Sequence, residues 1–321
     1  MDSTILDGAY FDFKALNVDL DFFRSLTLTK STLSGRSEPF VLLRPHLKLV
    51  ANVLGWKRAD GTRVCRNVYF SVARKNAKTQ ISAGLGLDLL ILDNEAAPEI
   101  YIAAKDRDQS AICFSAAAAM VRASDELSDI LHVVEYQKEI HNRLNGGILK
   151  ALSSEGKGKH GFNPSTVIFD EFHVWGPPEQ ELYDALTSGS GARSQPLKII
   201  ITTAGLDEYS LCGREYEYAK AVQNGLIVDP TYLPLIYEVP KDADWTDEEN
   251  WKLANPTLGQ IVRIEYLREQ FEKAKTQPHE QTKFRRLHLN QWVNAKSTFI
   301  PLTKWDACCW KESDVIPATA A

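Results

Sequence analysis

The sequence predicts an α/β fold: a mainly parallel central sheet flanked by helices, with a small helical subdomain behind it. Three observations carry this expectation. Continuous apolar runs of strand length recur at 68–73, 99–104, 165–170 and 197–204, and parallel strands read as unbroken apolar runs because helices cover both of their faces. Helical patterns of crossover length fall between the runs. After Pro234 the composition shifts toward tryptophan and charge at helical spacing.

Residues 1–64 mix short helical patterns with loops, and FVLLRPHLKLVANVLGW places apolar side chains at helical spacing around Pro45 before the Asp60-Gly61 turn. This stretch reads as a cap or entry segment. Over 65–235 the strand VYFSVA leads to the helix AKTQISAGLGLDLLILDN, then come the strand EIYIAA and the helix DRDQSAICFSAAAAMVRASDEL. The runs STVIFD and LKIIITTA, separated by the helical EQELYDALTSG, read as buried central strands. Residues 236–321 predict helices at 246–255, 263–276 and 279–292. No internal repeat or low-complexity segment interrupts the chain.

Composition narrows the function classes. With 44% hydrophobic and 25% charged residues over 321 positions, a disordered or fibrous chain is excluded. The net charge of -5 offers no overall attraction to phosphate, so any contact with nucleic acid must be local. The five cysteines, Cys65, Cys113, Cys212, Cys308 and Cys309, show no C-x-x-C spacing, which fits a reduced, intracellular protein without a zinc knuckle. The start MDSTILDGAY lacks a signal-peptide core, and no run reaches the roughly 18 apolar residues a membrane helix needs. A soluble, unexported protein without membrane contact is expected.

Three motifs carry chemistry. The stretch VARKNAKT places Lys78-Thr79 where a strand passes into a helix. Backbone N–H groups, the positive end of the helix dipole and a lysine together favour an anion there. In G-x-x-x-x-G-K-[ST] the hydroxyl also holds Mg²⁺; here Val72 and Ala77 occupy the two glycine positions. Ala77 is tolerable if its turn needs no positive φ, and alone the motif serves equally as a phosphate site or a solvated basic helix start. Next, Asp170-Glu171 ends an apolar strand, at the carboxyl edge where open α/β sheets bind ligands. Asp170 could hold Mg²⁺ through water, and Glu171 could orient and deprotonate an attacking water. Lastly, Thr202-Thr203-Ala204-Gly205 follows LKIII, where a hydroxyl could sense the γ-phosphate. Together the three have the order a nucleotide-hydrolysing sheet needs.

On VARKNAKT, HGFNPSTVIFDEFHVW, IITTAG, WKLANPTLG at 251–259 and FRRLHLNQWV at 284–293, the sequence resembles the large terminase subunit of tailed phages, the ATPase motor that packages DNA into the capsid. The resemblance covers most of the chain. It implies a RecA-like P-loop ATPase core over 65–235, using ATP and Mg²⁺, with 1–64 on the adenine side. By the same resemblance the loop Arg74, Lys75, Asn76, Ala77, Lys78 and Thr79 binds the nucleotide, with Arg74 near the γ-phosphate. Thr79 and Asp170 are the metal-side residues, Glu171 the catalytic base, and Thr202 or Thr203 the coupling motif. Two departures are Ala77, where glycine is common, and His46, where a glutamine that reads adenine is usual.

The resemblance further implies a homo-oligomeric ring on a portal protein, with a small terminase subunit and double-stranded DNA as partners in the cytoplasm of an infected host. A basic residue of a neighbouring subunit would reach the γ-phosphate; the candidates are Lys157, Lys159 and His160 in SEGKGKHG, a stretch that also reads as a solvated loop, and Arg193. Terminases generally carry a metal-dependent nuclease after the ATPase. No acidic cluster on a second sheet is evident here, so nuclease activity is expected only in a C-terminal domain missing from this chain, as in a truncated gene product, with 236–321 as a helical subdomain and linker toward it.

Other features read as structural. His173 in DEFHVW fits a packing or orienting role, and Trp245, Trp251, Trp292, Trp305 and Trp310 fit core positions better than base stacking. Lys283, Arg285, Arg286 and His288 fit a charged helix face or a DNA backbone contact. Two rival functions stand beside the motor. One is a superfamily-two helicase-like translocase, which needs a second RecA-like domain for which the residues after Pro234 are too few. The other is a catalytically inactive nucleotide-binding scaffold, motivated by the missing loop glycines.

Overall fold

The computed structural model describes residues 7–28, 37–154 and 161–293. The N-terminal stretch runs β1 (Tyr10–Phe11), α1 (Phe13–Ser25), β2 (Thr27–Leu28), β3 (Glu38–Pro39), α2 (Arg44–Leu54) and β4 (Trp56–Lys57). Asp12 starts α1 by accepting a hydrogen bond from the Ala15 amide at 2.9 Å. Pro45 sits in the first turn of α2, where no amide is needed.

The chain then alternates β5 (Asn67–Ser71), α3 (Lys78–Ile91), β6 (Glu99–Ala104) and α4 (Arg107–Arg122). A short α5 (Asp125–Ile130) leads into β7 (Leu131–Val134), β8 (Glu139–Asn142) and β9 (Ile148–Ser153). After them come β10 (Thr166–Asp170), α6 (Gln180–Ser188), β11 (Leu197–Thr202), α7 (Leu211–Gln223) and β12 (Tyr232–Ile236). Three helices follow: α8 (Glu248–Ala254), α9 (Ile264–Thr276) and α10 (Pro278–His288).

One eight-stranded sheet has the order β12-β5-β11-β10-β6-β9-β8-β7. From β12 to β9 the pairings are parallel, and β8 and β7 continue it antiparallel. The four apolar runs are thus its adjacent central strands β5, β11, β10 and β6. The strands β7 to β9 and β12 lie toward the edges, where one face needs no continuous apolar run, so polar residues interrupt their pattern. Pro234 is accommodated because β12 is an edge strand.

Strand alternation sends Val68, Phe70, Ile102, Ile168, Ile199 and Ile201 to a core under α3 and α4. Tyr69, Phe169 and Ile200 face the opposite layer with Phe172, Trp175, Tyr216 and Trp292. Helix α3 is buried on nearly every side from Ile81 to Leu90, each leucine contributing roughly 1.5–3 kcal/mol. It is a rigid post behind the loop at its start. A third cluster joins Trp251, Leu267 and Phe284 of the C-terminal helices to Ala73 of that loop.

Candidate nucleotide site

Register decides where the motifs meet. Ser71 of β5 lies opposite Thr202 of β11, and Asp170 of β10 lies opposite Ile201. The loop 72–77, the pair Asp170-Glu171 and the tip Thr202-Thr203 therefore leave the sheet together at its carboxyl edge, the ligand-binding edge of open α/β sheets.

The loop turns sharply. Lys75 has φ 72° and Ala77 φ 58°, so both non-glycine residues occupy the left-handed region, at about 1–3 kcal/mol each. The condition under which alanine would be tolerated without strain is not met: Ala77 itself caps α3 in the left-handed conformation. Lys78 is buried, its Nζ donating to Val72 O at 3.2 Å and Ala73 O at 3.4 Å. Burial lowers its pKa, opposed by Glu171 and Asp170. The ammonium is thus within electrostatic reach of both acids.

Asp170 is 1% exposed. Its Oδ2 accepts weak hydrogen bonds from Gln109 Nε2 and Cys113 Sγ, both at 3.5 Å, while Oδ1 has no partner. Burial first and Glu171 second push its pKa up to about 6, against the pull of Lys78. Glu171 stands at φ 44°. Burial pushes its pKa up, but Lys78, then His173 and Arg74, bring it down to about 2. One buried acid thus titrates near neutrality while its neighbour stays ionised.

The threonine tip is wired to the acids by His173. The Glu171 Oε2 lies 3.2 Å from His173 Nδ1. The same Nδ1 meets Thr203 Oγ1 at 3.1 Å, and the His173 amide donates to Thr202 Oγ1 at 2.9 Å. Burial holds the imidazole pKa below its usual value, against the pull of Glu171. Behind the tip, a Cβ on Gly205 would lie 2.8 Å from the Trp292 ring, so only glycine lets that tryptophan close over the strand.

The remaining candidates divide. Arg74 and Lys75 are exposed at the loop, and Thr79 is half-buried in the first turn of α3. His46 is buried, with Nε2 3.1 Å from Asn76 O and Nδ1 unpartnered. The Asn76 side chain is spent on neighbouring protein groups, not aimed at a ligand. Arg193 sits at the opposite, amino edge, bonded to Asn163 O and Ala96 O and paired with Glu95 and Glu99. Lys157, Lys159, His160, Trp305 and Trp310 lie outside the described residues. Trp251 and Trp292 are core residues. His288 is buried between Tyr266 and Phe284 and does not lie on an exposed face. Gln109 and Cys113 reach the site from a helix with no motif of its own, whereas Asn255 and Thr257 lie in the WKLANPTLG stretch that carries the resemblance, to which the sequence reading gives no site role.

The donor set suits a hard cation beside a polyphosphate: a buried carboxylate with a free oxygen, a threonine hydroxyl at the helix start, and a lysine. Among the described residues no group of three or more His, Cys, Asp or Glu could hold a metal by itself.

The family model for the terminase large subunit ATPase domain matches residues 46–221, more than half the chain. The chain belongs to the terminase large subunit family. The large terminase subunit of Enterobacteria phage HK97 is 36% identical over 240 residues, covering 74% of this chain and 46% of that protein. The subunit of Lactococcus phage p2 is 25% identical over 244 residues, covering 72% and 44%. This terminase chain thus spans about half the length of the curated relatives it matches. The crystal structure of the HK97 large terminase superposes with TM-score 0.75 at 31% identity, covering 91% of this chain and 58% of that one. The ATPase domain of Thermus phage P74-26 large terminase, at 15% identity and TM-score 0.51, covers 71% and 89% and shares the fold.

One expectation is overturned. The family model for the terminase endonuclease domain matches residues 227–317, so the nuclease domain is not missing from this terminase chain. The match takes in β12 and α8 to α10. The matched stretch begins with a strand paired to the ATPase sheet and continues as helices, so among the described residues it lacks the acidic cluster on a second sheet that the sequence reading looks for in a nuclease.

Proposed function

We propose that this chain is the motor of a terminase, binding ATP with Mg²⁺ at the carboxyl edge and hydrolysing it to drive double-stranded DNA into a procapsid. The observation that carries the reading is the convergence of buried Lys78 with Asp170 and Glu171 on one sheet edge, with Asp170 Oδ1 left unpartnered. Loop amides and Lys78 bind the phosphates, Arg74 stands at the γ-phosphate side, and His46 Nδ1 is the atom left to meet a base. Thr79 and Asp170 hold the metal, which when bound neutralises charge on the phosphate oxygens. Glu171, ionised at pH 7, orients water in line and takes its proton. Thr202 and Thr203 read the state of that carboxylate through His173. The motor acts as a homo-oligomeric ring on the portal protein, with the small terminase subunit, in the infected host's cytoplasm; among the described residues no helix is long and apolar enough to cross a membrane.

Purified protein with Mg²⁺-ATP tests the reading. Turnover lost in both Lys78→Ala and Glu171→Gln supports the motor, whereas nucleotide binding with no turnover in the parent chain supports an inactive scaffold.

A further inference from the structure

The phosphate loop bends twice through the left-handed region without a glycine at either turn, at Lys75 and Ala77. Such backbone persists only where its surroundings over-determine it. Between the two turns lies Asn76, 1% exposed. Its Nδ2 donates to Ala73 O at 3.1 Å, Arg74 O at 3.3 Å and Asn255 Oδ1 at 3.1 Å. Its Oδ1 accepts from Thr257 Oγ1 at 2.6 Å and the Thr257 amide at 3.4 Å. Asn255 is anchored in turn, donating to Trp251 O at 3.0 Å and His288 O at 2.8 Å. Two backbone bonds run alongside, from Ala73 N to Ala254 O and from Arg74 N to Leu287 O.

Every one of these partners beyond the loop lies between 251 and 288, in the stretch matched by the endonuclease model and outside the ATPase match. Asn255 and Thr257 are themselves buried, at 1% and 0% exposure. A buried side-chain network with these amide atoms satisfied specifies one geometry, and here that geometry includes the strained turn.

We infer that Asn255 and Thr257 are positioning residues for the phosphate loop: through Asn76 they hold the Lys75–Ala77 turn in its phosphate-cradling shape, so that nucleotide affinity depends on the segment after the ATPase domain. The inference rests on reading the loop as an ATP site. It makes the missing glycines intelligible, since a turn held from outside does not need residues that favour it unaided.

The test uses the full chain and Thr257→Ala, with Thr257→Ser as the conservative control. For Thr257→Ala the KM for Mg²⁺-ATP rises about tenfold with kcat nearly unchanged, and amides 74–80 of the nucleotide-free protein exchange about tenfold faster. Thr257→Ser stays close to the parent in both. Adding Ala77→Gly to Thr257→Ala recovers most of the affinity, which a purely structural role for Thr257 would not allow. Parental exchange at 74–80 in Thr257→Ala, or no recovery in the double variant, overturns the inference. Asn255→Ala repeats the test should Thr257→Ala not fold. A parent chain that ignores ATP defeats the nucleotide reading instead, and the exchange measurement, which needs no nucleotide, still decides whether the latch holds the loop.

Discussion

The two edges of the central sheet are both rich in buried charge, yet they are built differently. At the amino edge Arg63 meets Asp93 at 3.2 Å and bonds Gln195 O, while Arg193 faces Glu95, Glu99 and three backbone carbonyls. At the carboxyl edge two acids stand side by side, Asp170 keeps an oxygen without a partner, and Lys78 reaches only loop carbonyls. Three non-glycine residues of positive φ lie there, Lys75, Ala77 and Glu171, against Ala97 at the amino edge. Charge density alone therefore does not mark a site. The difference lies in how the acids are matched: at the amino edge Asp93, Glu95 and Glu99 each face a guanidinium, whereas at the carboxyl edge Asp170 keeps an unpartnered oxygen beside a second acid and among three strained turns.

The sharpest way to break this comparison is to alter one residue on each side. Glu171→Gln should reduce kcat about 10³-fold with ATP affinity retained, measured by turnover and equilibrium binding; equal turnover would remove Glu171 from the base role. Arg193→Ala should do the reverse, costing about 3 kcal/mol of unfolding free energy by removing the guanidinium from Glu95, Glu99 and three carbonyls, with kcat per folded molecule unchanged. A fall in kcat matching that of Glu171→Gln would mean the amino edge is not merely structural.

A smaller effect concerns acid. Burial, with Arg74, Lys283 and Lys75 nearby, lowers the His288 pKa to about 4. Because the folded value lies below the ordinary 6.5, the unfolded chain binds the proton more readily between them. Stability is therefore full above pH 6.5 and falls as pH drops toward 4, by up to about 3 kcal/mol. Urea midpoints across that range should show the slope, and His288→Gln should flatten it. The smallest expected effect is Ala77→Gly, which relieves the left-handed strain and should stabilise by about 1 kcal/mol; a loss of stability would mean the turn is not strained.

The central strands and the three tips were legible because each motif ends an apolar run, and adjacent parallel strands deliver such ends to one edge. The helices after Pro234 were legible from their spacing, within a few residues at each end. What governs the loop was not. Asn76 and Thr257 are 181 residues apart, and no local periodicity reports a contact between two polar residues at that separation. Nor does sequence spacing reveal that Ala77 takes positive φ, since alanine there signals nothing until the helix start is placed. Arg193 misled in the opposite direction: a basic residue in a Gly- and Ser-rich stretch looks available, and only the fold shows its guanidinium enclosed by carbonyls.

The parallel pairing of β12 with β5 has a mechanical side. Five residue pairs, from Tyr232 opposite Asn67 to Ile236 opposite Ser71, join the strand that carries the phosphate loop to the chain leading downstream. Tension applied along that strand must slide all five past one another at once instead of peeling them apart singly, so a pull on the downstream chain reaches the loop as a stiff displacement before the joint can yield.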